Sequence, residues 1–494
     1  MSIKDKLNKN LSAQAFLLTA SRVVTLLISL VTNMLLSRFR SLEEFGTYSE
    51  IIVVITLAVS IFTLGLPNSI NYFLPKSKDA GQRDKFLSVY YFSITAISVV
   101  MGLVLVIATP IIVKYYDNPS IEMYSYLLLI IPWTKVIIGG RSNMFVATSR
   151  ATKEITHNVL NSIFLLLIIL FTKVLNESFN FYLILYVVVE VVFTIAVYFE
   201  TYRLMDKINL SFDLKFFKQI LAFSIPMGLS SAVGTLCAEV DKLMIGWLYD
   251  EASVAIYSNA GRELPITYLS TSFTAVMLPQ IVKLLSDEKK EKAVKLWRDS
   301  IELCFIIMNF FSVVCVVFAP QIISLLYSDK YLDGVNVFRI YSLVLSLRVT
   351  YWGMMLNAYG KSKTILYTSV ISLMSNVILN VICYFAFGFS GPAVATFLSV
   401  AVAVVFQLLF TKKETGFTIK NILPVKRLFF VLAVNGIFGV ALTLLVEKFV
   451  PGTDWKSICV CVVIGFVWFM VYALIMSKRL KTLIKGINLS RAKV

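Results

Sequence analysis

Residues 223–271 read FSIPMGLSSAVGTLCAEVDKLMIGWLYDEASVAIYSNAGRELPITYLST, and this stretch decides the fold. It is two long apolar runs joined by a short turn, the pattern of a membrane hairpin. Yet it carries Glu239, Asp241, Lys242, Arg262 and Glu263. A charge at the middle of a spanning helix costs about 2.5–3.5 kcal/mol on insertion scales. A chain built only to cross a bilayer does not place five of them in one hairpin. The stretch therefore predicts a polar cavity enclosed by protein.

The rest of the chain agrees with a membrane reading. Of 494 residues, 58% are hydrophobic and 15% charged, and the apolar runs recur from end to end. A soluble domain could not solvate such a chain, and the runs do not alternate as barrel strands do. The class is all-α and polytopic. The net charge of +17 invites a nucleic-acid partner, but no basic domain stands outside the apolar runs, so loop lysines and arginines account for it. All six cysteines (Cys237, Cys304, Cys315, Cys383, Cys459 and Cys461) lie in apolar runs without metal or disulfide spacing. His157 is the single histidine, which leaves no basis for a histidine metal site or catalytic pair. No metal or cofactor is expected. The first run, near 14–37, is too long for a signal-peptide core and lacks a small-residue cleavage site.

A span needs about 20 apolar residues. Fourteen runs qualify: 14–37, 46–73, 87–113, 121–147, 155–173, 179–199, 216–248, 252–282, 300–327, 335–358, 364–386, 391–411, 427–446 and 457–476. An even number puts both termini on one side. With that side cytoplasmic, and with Lys173, Lys218 and Arg427 at span ends counted with the adjoining loops, the inside segments hold 32 of the 46 lysines and arginines and the outside loops 7, which sets the orientation. The 283–298 loop and the tail after 476 read as solvated basic segments, the loop with short amphipathic character.

A repeat is visible. Tyr48-Ser49 after the first span is echoed by Tyr257-Ser258 after the seventh, and Ala147-Thr148-Ser149-Arg150 after the fourth by Ala358-Tyr359-Gly360-Lys361 after the tenth. The two offsets nearly agree. Six spans per half make the halves parallel in topology, related by an axis along the membrane normal. The expected division is 1–205 and 206–411 as two six-helix bundles, with 412–494 adding two spans and a basic tail.

Helical spacing shows where the polar groups point. Arg22, Thr25, Ser29 and Asn33 form one stripe on the first span. Ser224, Gly228, Ser231, Thr235, Glu239 and Lys242 form another on the seventh. Ser258, Arg262 and Thr267 share a face of the eighth. Arg339, Ser342, Ser346 and Thr350 share one on the tenth, with Arg348 off the stripe. Such stripes are expected to face a water-filled cavity between the halves. Bland alternatives stand beside several of these residues. Lys242 is spaced to pair with Glu239 or Asp241, and Lys135 and Arg348 can snorkel to an interface. Arg22 and Arg262, each a third of the way along a span, resist such explanations. Arg141 is a further cation within a span. No ATP-binding motif and no nucleophile–base pair is present, so an enzyme is not expected.

Three segments now bring a family into view. LLSRFRSLEEFGTYS, the 223–260 segment and LNAYGKSK (Leu356–Lys363) resemble the helix 1–2, 7–8 and 10–11 junctions of oligosaccharide flippases. These are the Wzx-like O-antigen and capsule exporters of the MOP superfamily, which also holds MATE drug exporters and lipid II flippases. The resemblance covers about the first 410 residues. It implies a V of two six-helix bundles around a central cavity. It also implies functional arginines in the first and eighth spans, where Arg22 and Arg262 stand.

The expected function is translocation of an undecaprenyl-diphosphate-linked oligosaccharide from the inner to the outer leaflet of a bacterial cytoplasmic membrane, for surface polysaccharide assembly. Arg22, Arg262, Arg141, Lys135, Arg348 and Asn33 are the candidate substrate contacts, because a guanidinium stays charged and offers paired donors to phosphate oxygens. Glu239, Asp241, Lys242 and Glu263 are candidates for coupling to H+ or Na+, or for structural ion pairs. Membrane lipids and a polysaccharide polymerase are the other expected partners. Two alternatives are a MATE-type drug/cation antiporter, against which the intramembrane cations argue, and a lipid-linked-glycan binding subunit without transport.

Overall fold

The computed structural model describes residues 11–77, 79–148, 150–206, 212–262, 264–450 and 452–492. Among them there is no strand. The first helices are α1 (Leu11–Phe39), α2 (Leu42–Phe62), α3 (Leu66–Lys76), α4 (Ala80–Ile107), α5 (Thr109–Tyr116), α6 (Ser120–Met123), α7 (Ser125–Ala147), α8 (Ala151–Val174), α9 (Phe179–Tyr202) and α10 (Leu214–Leu248). There follow α11 (Glu251–Ala260), α12 (Thr267–Ser286), α13 (Lys290–Val317), α14 (Ala319–Tyr327), α15 (Val335–Val344), α16 (Met354–Ala358), α17 (Ser362–Phe387), α18 (Gly391–Thr415), α19 (Ile419–Ile422), α20 (Val425–Phe449) and α21 (Trp455–Ala492).

Eleven helical stretches among the described residues are long and apolar enough to cross a membrane, against fourteen runs read from the sequence. The difference has physical causes. The helix α7 carries Lys135 and Arg141 and is too polar to count by hydropathy. The run 335–358 is broken into α15 and α16. The helices α17 and α18 merge into one stretch, Lys363–Thr415, across a tight turn at Gly388–Ser390. The run 252–282 is also broken, and only α12 of it qualifies.

The chain forms two compact units, one up to Ala255 and one from Ile256. In the first unit, α1 packs along α8, and α10 packs along α2 and α3. Local detail repeats at the two hairpin junctions. Ser41 opens α2 with a capping box: its hydroxyl accepts from the Glu44 amide at 3.1 Å while Glu44 Oε2 accepts from the Ser41 amide at 3.2 Å. At the matching place Asp250 accepts from the Ser253 amide at 2.9 Å. Tyr48 meets Phe179 edge-on with centroids 6.4 Å apart, and Tyr257 meets Phe389 edge-on at 5.6 Å.

The sequence run 46–73 is interrupted at Leu64 and Gly65, both with positive φ, where Pro67 starts α3. The break rests on α10 with no side chain between. A Cβ on Gly228 would lie 2.4 Å from the Gly65 nitrogen. Gly228→Ala is therefore expected to cost about 1–3 kcal/mol through overpacking. Gly234→Ala on the same helix, which meets nothing within 4 Å, is expected to be neutral or stabilising. Thermal unfolding of the two purified variants checks this.

Candidate functional site: two interrupted helices

The second unit contains two breaks at membrane depth. The first separates α11 from α12 at Gly261–Ile266. Pro265 cannot donate to a helical ladder and disfavours helical geometry at Leu264, so the chain leaves the helix with Arg262 in the gap. The second separates α15 from α16 at Leu345–Gly353. Here Val349 and Thr350 are β-branched, and the Trp352 indole donates to the Leu347 carbonyl at 2.6 Å, satisfying one carbonyl that the break releases. Unwound backbone at bilayer depth is tolerated where it is buried in protein or lines a cavity.

The two breaks share such a cavity. Gly261, Arg262 and Thr267 line it from one side, and Tyr341, Ser342 and Arg348 from the other. Its volume of about 30 Å³ is room for one or two waters. It fits the oxygens of an anion and is far too small for a sugar. Its electrostatics are cationic. Arg262 is exposed, and its guanidinium makes no hydrogen bond or ion pair with the described residues. Arg348 is half-buried. Among the described residues no carboxylate lines the cavity. Ser342 is 3% exposed, a buried hydroxyl at the cavity wall beside the Cys315 thiol.

The remaining predicted residues fall elsewhere. Arg22 is exposed on α1, while Asn33, on the same helix, is buried and engaged. Arg141 on α7 is held inside the first unit: its Nε donates to Glu154 Oε2 at 3.1 Å, and its Nη2 donates to the Asn158 side-chain oxygen. Lys135, one turn and a half away, reaches Thr56 Oγ1 at 3.5 Å, with Glu190, Glu239 and Lys242 within electrostatic reach. Lys242 pairs with Glu239 at 2.8 Å. Asp241 is buried and engaged. Glu263 lies outside the described residues. The structure thus brings Arg262 and Arg348 together in the second unit, and gathers Lys135, Glu239 and Lys242 in the first.

One group escaped the sequence reading. Glu50 on α2 is fully buried. Its Oε2 accepts from the Asn118 amide at 2.8 Å, and its Oε1 has no partner. It stands two turns from the start of α2, close enough to the polar turn to pass for an interfacial residue. The signal available was the glutamate's position past the capping box, inside an otherwise apolar helix.

A polytopic helical bundle with broken helices around a cationic cavity is the architecture of a membrane transporter. The sequence model described as polysaccharide biosynthesis protein matches residues 11–285, more than half of the chain, and the MatE model matches residues 226–382. The chain belongs to the polysaccharide biosynthesis protein family. It is 26% identical over 271 residues to the capsular polysaccharide biosynthesis protein CapF of Staphylococcus aureus, covering 52% of this chain and 65% of CapF. It is 28% identical over 212 residues to the probable low-salt glycan biosynthesis flippase Agl15 of Haloferax volcanii, covering 41% of this chain and 44% of Agl15. The chain thus spans less than two thirds of either relative. Among solved structures, the lipid II flippase MurJ in an inward closed conformation superposes with a TM-score of 0.72 at 18% identity, over 94% of this chain and 99% of that one. That likeness establishes the fold.

Proposed function

We propose that this chain is a flippase for a polyprenyl-diphosphate-linked oligosaccharide, undecaprenyl in bacteria, moving it from the inner to the outer leaflet of the cytoplasmic membrane by alternating access through a cationic cavity. The observation that carries the reading is the cavity at the two helix breaks. Among the described residues two guanidinium groups and a serine line it, and no carboxylate does. Such a wall suits a diphosphate and repels a cationic drug. Family membership and the names of the relatives, a capsule biosynthesis protein and a glycan flippase, point to the same substrate class. An inside-negative potential would assist outward movement of the anion, by up to about 2.3 kcal/mol per charge per 100 mV. The excess of loop lysines and arginines on one side supports a cytoplasmic position for both termini. The Lys135–Glu190–Glu239–Lys242 group in the first unit is where an H+ or Na+ counter-ion would be sought.

The test is export of surface glycan in cells that depend on this chain. With Arg22→Ala and Arg262→Ala combined, and protein at normal levels in the membrane, export is expected to fall by at least tenfold, the worth of one charge-assisted contact. Undiminished export would remove the cavity from the mechanism.

A further inference from the structure

The helices α20 and α21 lie beyond both matched regions, which end at 285 and 382. Their packing gives α20 a task. Asn435 is fully buried at its centre, and its amide nitrogen donates to Asn309 Oδ1 on α13 at 2.7 Å. Asn309, 2% exposed, passes its own amide to the Ser346 hydroxyl at 2.9 Å. Ser346 sits inside the α15–α16 break, two residues before Arg348. One turn further along α13, Ser312 donates to the Ser342 carbonyl at 2.7 Å, beside the same break.

The close approach that permits this chain is encoded. Gly439, one turn after Asn435, faces Val313, one turn after Asn309. A Cβ at Gly439 would stand 2.6 Å from the Val313 methyl. Small residues draw membrane helices together, and buried amides then bond across them. A carboxamide also has direction. With its oxygen occupied by Asn435, Asn309 must present its nitrogen, and so a donor, to the break.

We propose that Asn435 is a positioning residue for the anion site. Acting through Asn309 and Ser346, it holds the α15–α16 break so that Arg348 faces the cavity opposite Arg262. This ties the additional helix pair to substrate binding, and it rests on the reading of that cavity as a diphosphate site. Removing Asn435 takes away the donor to the buried Asn309 oxygen. Asn309 is then freed to leave Ser346, and the break loses one of its polar anchors on α13.

The experiment measures binding of inorganic pyrophosphate to the purified full chain by calorimetry. Asn435→Leu, which is close in volume and apolar, is expected to weaken binding about fivefold, the worth of one buried hydrogen bond. Ser346→Ala, a milder change at the other end of the chain of contacts, is expected to do the same and serves if the first variant does not fold. The deciding readout is coupling. In an Arg348→Ala background, which itself binds weakly, Asn435→Leu is expected to cause no further loss. Full affinity in both Asn435→Leu and Ser346→Ala, or an additive loss on top of Arg348→Ala, would overturn the positioning role while leaving the anion site intact. Absence of binding by the unaltered chain, or full affinity in Arg348→Ala, would overturn the anion site and the positioning role with it.

Discussion

Replacing both Arg262 and Arg348 by alanine is expected to lower the rate of glycan-lipid flipping by two orders of magnitude or more per folded molecule. Each guanidinium offers charge-assisted hydrogen bonds worth about 1.5–3 kcal/mol, so each single change should cost roughly ten- to hundredfold. Arg262 makes no bond with the described residues, so truncating it strands nothing; Arg348 is half-buried and engaged, so rates are compared at matched levels of folded protein. Lysine is a poor replacement at either position. It keeps the charge but loses the planar fork that meets two phosphate oxygens at once. Arg262→Lys is therefore expected to recover only part of the rate, and initial rates in reconstituted vesicles distinguish the three levels.

Arg141→Met is expected to act on stability. Arg141 and Glu154 are a buried pair, with side chains 4% and 5% exposed. Removing the arginine alone leaves a carboxylate without a counter-charge in the interior, a loss of about 3–5 kcal/mol. Removing both charges, with Arg141→Met and Glu154→Met together, should restore most of it, since an apolar pair of similar volume often replaces a buried ion pair at little cost. The midpoint of thermal unfolding is the measurement. A low midpoint in the single variant and near recovery in the double one is the expected pattern. It also separates Arg141 from Arg262: both are cations within spans, but one is consumed by the fold and the other is left open.

That separation explains what could be read from the chain alone. Long apolar runs and loop charge depend on composition over 20 residues, so the polytopic helical class and most spans were legible. The pairing of Arg141 depends on which helix lies opposite, and Glu154 belongs to the next span. Spacing along one helix carries no such information. It did suggest Lys242 with Glu239 or Asp241, and the structure selects Glu239. Arg348 shows a different limit. A helical stripe through Arg339, Ser342, Ser346 and Thr350 leaves it facing away. The chain is not helical from Leu345 to Gly353, and the break turns Arg348 to the same cavity as Ser342. The break at Arg262 has a visible cause in Pro265, which cannot donate to a helical ladder. The second break has no proline, and only its run of β-branched and aromatic residues beside Gly353 hinted at it.

The most direct test of a glycan-lipid flippase is to reconstitute the purified chain in liposomes with a fluorescent polyprenyl-diphosphate N-acetylglucosamine and follow its passage between leaflets with a membrane-impermeant quencher. The account predicts that liposomes holding the unaltered chain expose the lipid on both faces, at a rate that collapses in the Arg262→Ala, Arg348→Ala variant. Equal rates with and without the protein, or equal rates for the two proteins, would contradict it.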